Sequence, residues 1–285
     1  MKVTVAKTAG FCFGVKRAVD TVYEQLKDNP DTPIYTWGPI IHNEEVLGDL
    51  EKKGVKTIDS LDSLDGIGQL EKGIIIVRAH GVSREVFEQL KQSGMCVIDA
   101  TCPFVKKIHR IVEQKSGENN QIIVVGSGAH PEVQGIVGWS KTPAKVIESV
   151  EEAGKYYPEA GKPVCIVAQT TFNYKKFKDV VEKISEKSYD STAVDTICNA
   201  TYERQREAAE LAALSDIMFV IGGKSSSNTQ KLYEICRQHC PHTHYIQTAE
   251  DIADEWLWTD ASVGITAGAS TPKNIIEEVQ TKCQN

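Results

Sequence analysis

The sequence predicts an α/β fold of three similar subdomains, each with a small, mostly parallel sheet, arranged around a pseudo-threefold axis. Two observations lead to this prediction. Short apolar runs rich in β-branched residues alternate with helix-like segments, which is typical of βαβ units and parallel sheets. The same order of strand, polar turn and helix recurs with a period of about 90 residues, which is the size of a domain rather than of a solenoid repeat.

Nine predicted strand-to-helix junctions define the repeat, and three of them contain a cysteine. Cys12, Cys102 and Cys198 are separated by steps of 90 and 96 residues. The other six junctions follow the runs 34–37, 74–77, 122–125, 164–167, 218–221 and 263–265. Each third of the chain thus carries one cysteine turn and two polar turns. The predicted subdomains are residues 14–97, residues 98–193, and residues 194–285 together with 1–13.

Composition excludes several classes of protein. With 285 residues, 41% hydrophobic and 25% charged, the chain has the composition of an ordinary globular protein. A net charge of -7 argues against a nucleic-acid partner. We found no apolar run near the ~20 residues that cross a bilayer and no signal-peptide pattern. We therefore expect a cytoplasmic protein without a membrane partner, in which cysteines stay reduced.

The three phased cysteines predict a metal centre. Each lies at the start of a predicted helix, where the helix dipole lowers a thiol pKa. Three thiolates suit zinc with one open position or an iron-sulfur cluster with one iron that lacks a protein ligand. Zinc sites usually take two ligands from a short local motif, and the sequence offers none around these cysteines. This pattern favours a 4Fe-4S cluster, whose open iron can act as a Lewis acid on a substrate oxygen.

The other five cysteines are predicted to lie outside this centre. Cys96 and Cys165 fall in strand patterns and are expected in the core, whereas Cys283 lies in a polar C-terminal tail. Cys236 and Cys240 are predicted at the surface end of a helix. A zinc site that combines this pair with a following histidine is the less favoured alternative.

Polar side chains occupy the remaining junctions and predict an anion site. They are His42, His80, His130, Thr170, Ser226, Ser227, Asn228 and Ser270. Imidazoles, hydroxyls and an amide, together with helix N-termini, are donors suited to a phosphate or diphosphate. We found neither a Walker A loop nor a dinucleotide-binding glycine motif, so we expect no bound NAD or flavin. Redox chemistry would then need electrons from another protein.

Glu132 is the acidic side chain in the turns of the second third of the chain, and it lies two residues after His130. Beside an anion and a negatively charged cluster, its pKa is expected to rise, which would make it a proton donor. The alternative is a carboxylate that only stabilises the N-terminus of a helix.

Nine segments of the chain resemble the LytB (IspH) family of 4-hydroxy-3-methylbut-2-enyl diphosphate reductases, in the same order along nearly the whole sequence. They are residues 10–18, 41–43, 78–82, 99–103, 128–133, 169–171, 198–201, 226–228 and 266–270.

The resemblance implies an oxidoreductase of the methylerythritol phosphate route that converts its substrate to isopentenyl and dimethylallyl diphosphate. It implies that Cys12, Cys102 and Cys198 hold the cluster, and that Glu132 with Thr170 handles protons. It assigns the diphosphate to His42, His80, His130, Ser226, Ser227, Asn228 and Ser270, with His130 also able to relay a proton. The implied partner is an electron donor of the ferredoxin or flavodoxin type.

Two other functions remain open at this point. A cluster-dependent hydro-lyase also uses three thiolates and an open iron, but it needs no electron donor. A non-catalytic iron-sulfur sensor could bind an anionic metabolite, although it would leave the proton donor without a purpose.

Overall fold

The computed structural model describes residues 1–58, 67–68, 70–187 and 190–284. The strands described are β1 Lys2–Val5, β2 Ile34–Trp37, β3 Lys56–Ile58, β4 Ile74–Val77, β5 Cys96–Asp99, β6 Gln121–Val125, β7 Lys145–Ile147, β8 Val164–Ala168, β9 Ser191–Ala193, β10 Ile217–Ile221, β11 Thr243–Ile246 and β12 Ser262–Ala267. The helices described are α1 Phe13–Asp28, α2 Glu44–Lys52, α3 Arg84–Gln92, α4 Pro103–Gly117, α5 Pro131–Val137, α6 Val150–Lys155, α7 Tyr174–Ser185, α8 Asn199–Ala212, α9 Ser227–His239 and α10 Lys273–Gln284.

The strands form three sheets of four, and every pairing is parallel. The strand orders are β3-β2-β4-β5, β7-β6-β8-β9 and β1-β12-β10-β11. The strand before Cys12 pairs with the last strand of the chain, Val3 opposite Val263, as the phase of the repeat predicts. The predicted class, α/β with three small parallel sheets, is confirmed. Their arrangement around a common axis and the three subdomain boundaries stay predictions.

The chain divides into two compact units. One comprises Met1–Lys16, His42–Gly48 and Cys198–Asn285, and the other comprises Arg17–Ile41 and Asp49–Ile197. The first unit contains the sheet β1-β12-β10-β11, and the second contains the other two sheets.

Burial explains which strands the sequence reveals. All residues of β4 and β8 are buried, because strands in the middle of a parallel sheet are covered on both faces. They therefore form continuous apolar runs. The edge strands β3 and β7 have three residues each and begin with an exposed lysine, so no apolar run marks them.

Helix starts are capped where the sequence allows it. Ser83 accepts a hydrogen bond from the Val86 amide at 3.3 Å, and Asn173 accepts one from the Lys176 amide at 3.0 Å. Such caps satisfy amides that have no partner within the helix. None of the described helices is long and apolar enough to cross a membrane.

Burial of the five remaining cysteines corrects most of their predicted places. Cys165 is buried in β8 as predicted, but Cys96 is exposed because it starts the edge strand β5. Cys283 is not an incidental tail residue, since it is fully buried on α10. Cys236 and Cys240 are buried in an apolar cluster rather than at the surface, and both donate to backbone carbonyls.

Phe219 tests the core of the first unit. It is fully buried on β10, with its ring centroid 5.7 Å from that of His244 and 6.5 Å from that of Trp256. Phe219→Ala should lower the free energy of unfolding by about 3–5 kcal/mol, because a cavity replaces the ring. Leu214→Ala, at a position 79% exposed, should stay within about 0.5 kcal/mol of the original protein. Urea denaturation measures both, and equal effects would contradict this assignment of the core.

Candidate metal centre and active site

The three phased cysteines all stand at helix starts. Cys102 and Cys198 are the N-cap residues of α4 and α8, and neither side chain bonds to its own helix as a cap. Cys12 directly precedes α1, and its carbonyl accepts the Lys16 amide at 2.9 Å. Its own amide donates to Ala269 at 3.2 Å. The three cysteines therefore share one local setting, the start of a helix.

The donor set fits an iron-sulfur cluster. None of the three cysteines forms a disulfide, and each is partly exposed, unlike the fully buried Cys165, Cys236 and Cys283. Thiolates are the ligands that such clusters use, and partial exposure leaves room for a group and a substrate beside them. This fit concerns the chemistry of the donors, and the ligand assignment itself stays a prediction.

Glu132 and Thr170 form a buried pair in the second unit. The Glu132 side chain, on the first turn of α5, accepts the Thr170 amide at 2.6 Å through Oε1. Its Oε2 accepts the Thr170 hydroxyl at 2.8 Å. Glu132 is 2% exposed and Thr170, which follows β8, is 7% exposed. The geometry thus joins two residues that the sequence places 38 positions apart.

Burial raises the pKa of Glu132 to about 7, and the two hydrogen bonds from Thr170 partly oppose that shift. The sequence predicts this direction, although from neighbouring negative charge rather than from burial. A carboxyl group with a pKa near neutrality holds a proton for a large fraction of the time at working pH and can release it.

His130 contacts this pair, and a chain of contacts leads from it to His80 and to the turn of Cys102. His130 is the N-cap of α5, and its Nδ1 accepts the Glu132 amide at 3.1 Å. In the neutral ring Nε2 then carries the proton and is the donor. The rings of His80 and His130 meet edge to face with centroids 5.4 Å apart. The Cys102 amide donates to Ala79 at 2.9 Å, so the cysteine turn is bound to the turn that carries His80.

The first unit brings together the other polar turns. The Ser270 hydroxyl donates to the His42 carbonyl at 2.9 Å. A Cβ on Gly223 would lie 2.9 Å from that same carbonyl oxygen, so the turn before Ser226 also passes His42 closely. Because the Ser270 hydrogen is already used, binding of a phosphate oxygen there requires this bond to be exchanged.

Ser226 and Asn228 differ in how far their hydrogen bonds are satisfied. Ser226 caps α9 by accepting the Thr229 amide at 3.3 Å and the Thr229 hydroxyl at 2.9 Å, which leaves its own hydrogen for a ligand. The buried Asn228 Nδ2 has no acceptor in the described part of the chain, although the residue is only 5% exposed. A buried donor without an acceptor is costly, and an anion would satisfy it.

Two residues near the site escaped prediction. Gln169 is 1% exposed, and its Oε1 accepts the Ser127 amide at 3.2 Å, which holds the turn before His130. His109, on a helix whose sequence pattern would place it in solvent, is instead 5% exposed and stacks on Trp139 with ring centroids 5.2 Å apart. Burial lowers its pKa to about 4, so it is neutral and structural. The sequence shows only a polar residue in a helix, and no local pattern predicts that Trp139 covers it.

Comparison with known proteins gives matches along the whole chain. A model of the LytB protein family matches residues 3–284. The chain is 45% identical to the 4-hydroxy-3-methylbut-2-enyl diphosphate reductase of Caldanaerobacter subterraneus subsp. tengcongensis, with 100% of this chain and 97% of the relative covered. It is 42% identical to the reductase of that name from Clostridioides difficile, with 100% of both covered.

Solved structures agree with these matches. The E-1-hydroxy-2-methyl-but-2-enyl-4-diphosphate reductase of Plasmodium falciparum aligns with a TM-score of 0.91 at 31% identity, over 100% of this chain and 88% of that chain. A second structure, of (E)-4-hydroxy-3-methyl-but-2-enyl diphosphate reductase, the terminal enzyme of the non-mevalonate pathway, aligns with a TM-score of 0.70 at 41% identity. It covers 100% of this chain and 99% of its own. Since the family model and the relatives span nearly every residue, the chain belongs to the LytB family.

Proposed function

We propose that this chain is a 4-hydroxy-3-methylbut-2-enyl diphosphate reductase that produces isopentenyl and dimethylallyl diphosphate in the last step of the methylerythritol phosphate pathway. The names of its full-length relatives support the substrate. The single structural observation that supports the chemistry is the buried Glu132 carboxyl with a pKa of about 7. Cytoplasmic location is part of the same proposal.

The proposed reaction removes the allylic hydroxyl of the substrate. The C–O bond breaks, two electrons and two protons enter, and the oxygen leaves as water. One proton goes to the departing hydroxyl and the other to either end of the allyl unit, which accounts for two products. The electrons come from a ferredoxin- or flavodoxin-type donor.

The metal centre of the proposal is a 4Fe-4S cluster held by Cys12, Cys102 and Cys198. When bound, such a cluster supplies electrons and a Lewis-acidic iron for the substrate oxygen. The protein contributes the positions of the three thiols, each at a helix start.

The diphosphate is assigned to the polar turns. The residues are His42, His80, His130, Ser226, Ser227, Asn228 and Ser270. The buried amide nitrogen of Asn228 gains an acceptor when an anion binds, and the Ser226 hydrogen is available for the same purpose. Binding energy from this remote group positions the reacting carbon.

Glu132 is the proposed proton donor to the leaving hydroxyl. Thr170 donates to both carboxylate oxygens, so the charge left after proton transfer is stabilised where it forms. His130 holds the Glu132 backbone through Nδ1 and can deliver a further proton from Nε2. Burial excludes water that would compete for the proton.

Anaerobic turnover tests this function. The protein should convert the diphosphate substrate only with dithionite or a reduced ferredoxin or flavodoxin. Glu132→Gln should lower kcat about 100-fold or more while the cluster stays bound, because positioned general acids contribute at least that factor. Glu151→Gln, at an exposed glutamate paired with Lys155, should retain full activity. Turnover without a reductant would favour a hydro-lyase, and near-normal turnover of the Glu132 variant would exclude the proton-donor role.

The stability of the apoprotein should show the raised pKa independently. Between pH 4.5 and 7 the folded protein keeps the Glu132 proton that the unfolded chain has released, so the folded state binds more protons. The unfolding free energy of the original protein should therefore fall with rising pH across this window relative to Glu132→Gln, by up to about 3 kcal/mol. Urea titrations at several pH values measure this difference. Parallel curves for the two proteins would contradict the raised pKa.

Iron content tests the ligand assignment. Replacing any one of the proposed ligands by serine should weaken cluster binding more than about 100-fold; the variants are Cys12→Ser, Cys102→Ser and Cys198→Ser. Loss of a residue that only hydrogen-bonds to a metal ligand already lowers metal affinity about 10–100-fold. Cys96→Ser removes an exposed thiol and should bind the full amount. Iron and sulfide analysis after anaerobic reconstitution gives the result. A cysteine variant that retains the full cluster would remove that residue from the ligand set.

A further inference from the structure

Arg204 is a buried cation that holds the turn before Cys12. It lies on α8 and is 3% exposed. Its Nη1 donates to the Ala267 carbonyl at 2.7 Å, and its Nη2 donates to the Gly10 carbonyl at 2.9 Å. Gly10 has φ +101°, a conformation that favours glycine. A forked guanidinium is the side chain that can bind two carbonyls with fixed geometry.

Glu207, one helical turn later, holds the same segment through its amides. Its Oε1 accepts the Lys7 amide at 2.8 Å, and its Oε2 accepts the Thr8 amide at 2.8 Å and the Thr8 hydroxyl at 2.6 Å. Burial acts to raise the Glu207 pKa, but these hydrogen bonds prevail and lower it. One face of α8 therefore presents opposite charges to the carbonyls and the amides of residues 7–10.

The helix that makes these contacts starts at a second cysteine. Cys198 is the N-cap of α8, and Arg204 follows it by six residues. Burial lowers the pKa of Arg204, whereas Cys12, Glu207 and Cys198 act to raise it by attraction. Because an arginine stays charged in proteins, this guanidinium is a buried positive charge that interacts electrostatically with Cys12 and Cys198.

In the second unit, too, an arginine binds the backbone carbonyls that precede a cysteine. Arg17, on α1 and five residues after Cys12, donates through Nη1 to the carbonyls of Ala100 and Thr101 at 3.3 and 3.0 Å. Its Nη2 donates to the Asp99 carbonyl at 3.2 Å. These carbonyls immediately precede Cys102. The turn before Cys198 is held differently, by the Thr196 hydroxyl, which bonds to both the amide and the carbonyl of Ala168 at 2.7 Å.

We infer that Arg204 is a positioning residue for the metal centre, which orients the Cys12 turn against α8 and stabilises the bound cluster, above all its reduced form. The inference rests on the proposed cluster. Three thiolates give a 4Fe-4S group a net negative charge, and one-electron reduction makes it more negative. A buried cation therefore favours reduction, in a setting where water screens little.

Three variants separate charge from geometry. Arg204→Gln removes the charge, Arg204→Lys keeps it without the fork, and Arg206→Gln removes the same charge from an exposed position two residues away. Arg206 is 63% exposed and pairs only loosely with Glu210 at 3.7 Å, so it is a matched control. The reconstituted holoproteins are compared by redox titration with electron paramagnetic resonance and by the rate of iron loss to a chelator.

In Arg204→Gln the equilibrium constant for one-electron reduction of the cluster should fall about tenfold, which is a shift of about 59 mV to a more negative potential. The variant should also lose iron about tenfold faster. Arg204→Lys should keep the potential but lose iron faster than Arg206→Gln, which should behave as the original protein. A purely structural residue would change the melting temperature of the apoprotein without moving the potential.

Equal potentials in Arg204→Gln and Arg206→Gln would overturn the inference, whatever the rates of iron loss. If Arg204→Gln does not fold by circular dichroism, Arg204→Lys decides, and iron loss no faster than in Arg206→Gln then overturns it. Failure of the proposed cluster is distinguishable from this result, because the original protein itself would then bind no iron and sulfide. Failure of the proposed reductase activity is seen separately, in the turnover assay of the original protein with and without a reductant.

Discussion

Parallel strand pairing is the constraint on which the rest of this structure depends. When every pair in a sheet is parallel, all strands of that sheet end at the same edge, and each end must pass through a turn into a helix or a crossover. His80 follows β4, Cys102 follows β5, and Thr170 follows β8. Beyond the strand ends, backbone hydrogen bonds between neighbouring turns, such as that from the Cys102 amide to the Ala79 carbonyl, continue the hydrogen bonding of the sheet. The polar residues are thus concentrated where the backbone already supplies donors.

These strand ends carry polar groups that are satisfied to different degrees, and the difference has chemical meaning. Glu132 receives two donors from Thr170, yet burial still holds its pKa near neutrality, so both of its protonation states are accessible. Asn228 has a buried amide nitrogen without an acceptor in the described chain. The first arrangement suits a group that changes charge during a reaction, and the second suits a group that waits for an anionic ligand.

The turns themselves are held by side chains from distant parts of the sequence rather than by local turn chemistry. Arg204, Glu207 and Thr196 all bind backbone groups, two of them with full charges in buried or half-buried surroundings. Charged hydrogen bonds of this kind are stronger than neutral ones and restrict a turn to one geometry. A metal centre built from thiols far apart in the chain needs such restriction, because each ligand otherwise moves with its own loop.

The central strands, the class of fold and the spacing at which cysteines and polar turns recur could be predicted from the sequence, because strands buried on both faces must be continuous apolar runs. The sequence also marked Glu132 as the acidic group of its turns. Which residues are covered could not be predicted, because burial depends on packing partners. The short edge strands β3 and β7, the exposed Cys96, and the buried His109 and Cys283 are the examples. The hydrogen-bond partners of Arg204 are backbone carbonyls, one of them 194 residues away in the sequence. Because every residue has a backbone carbonyl, no pattern of side chains in the sequence predicts this contact.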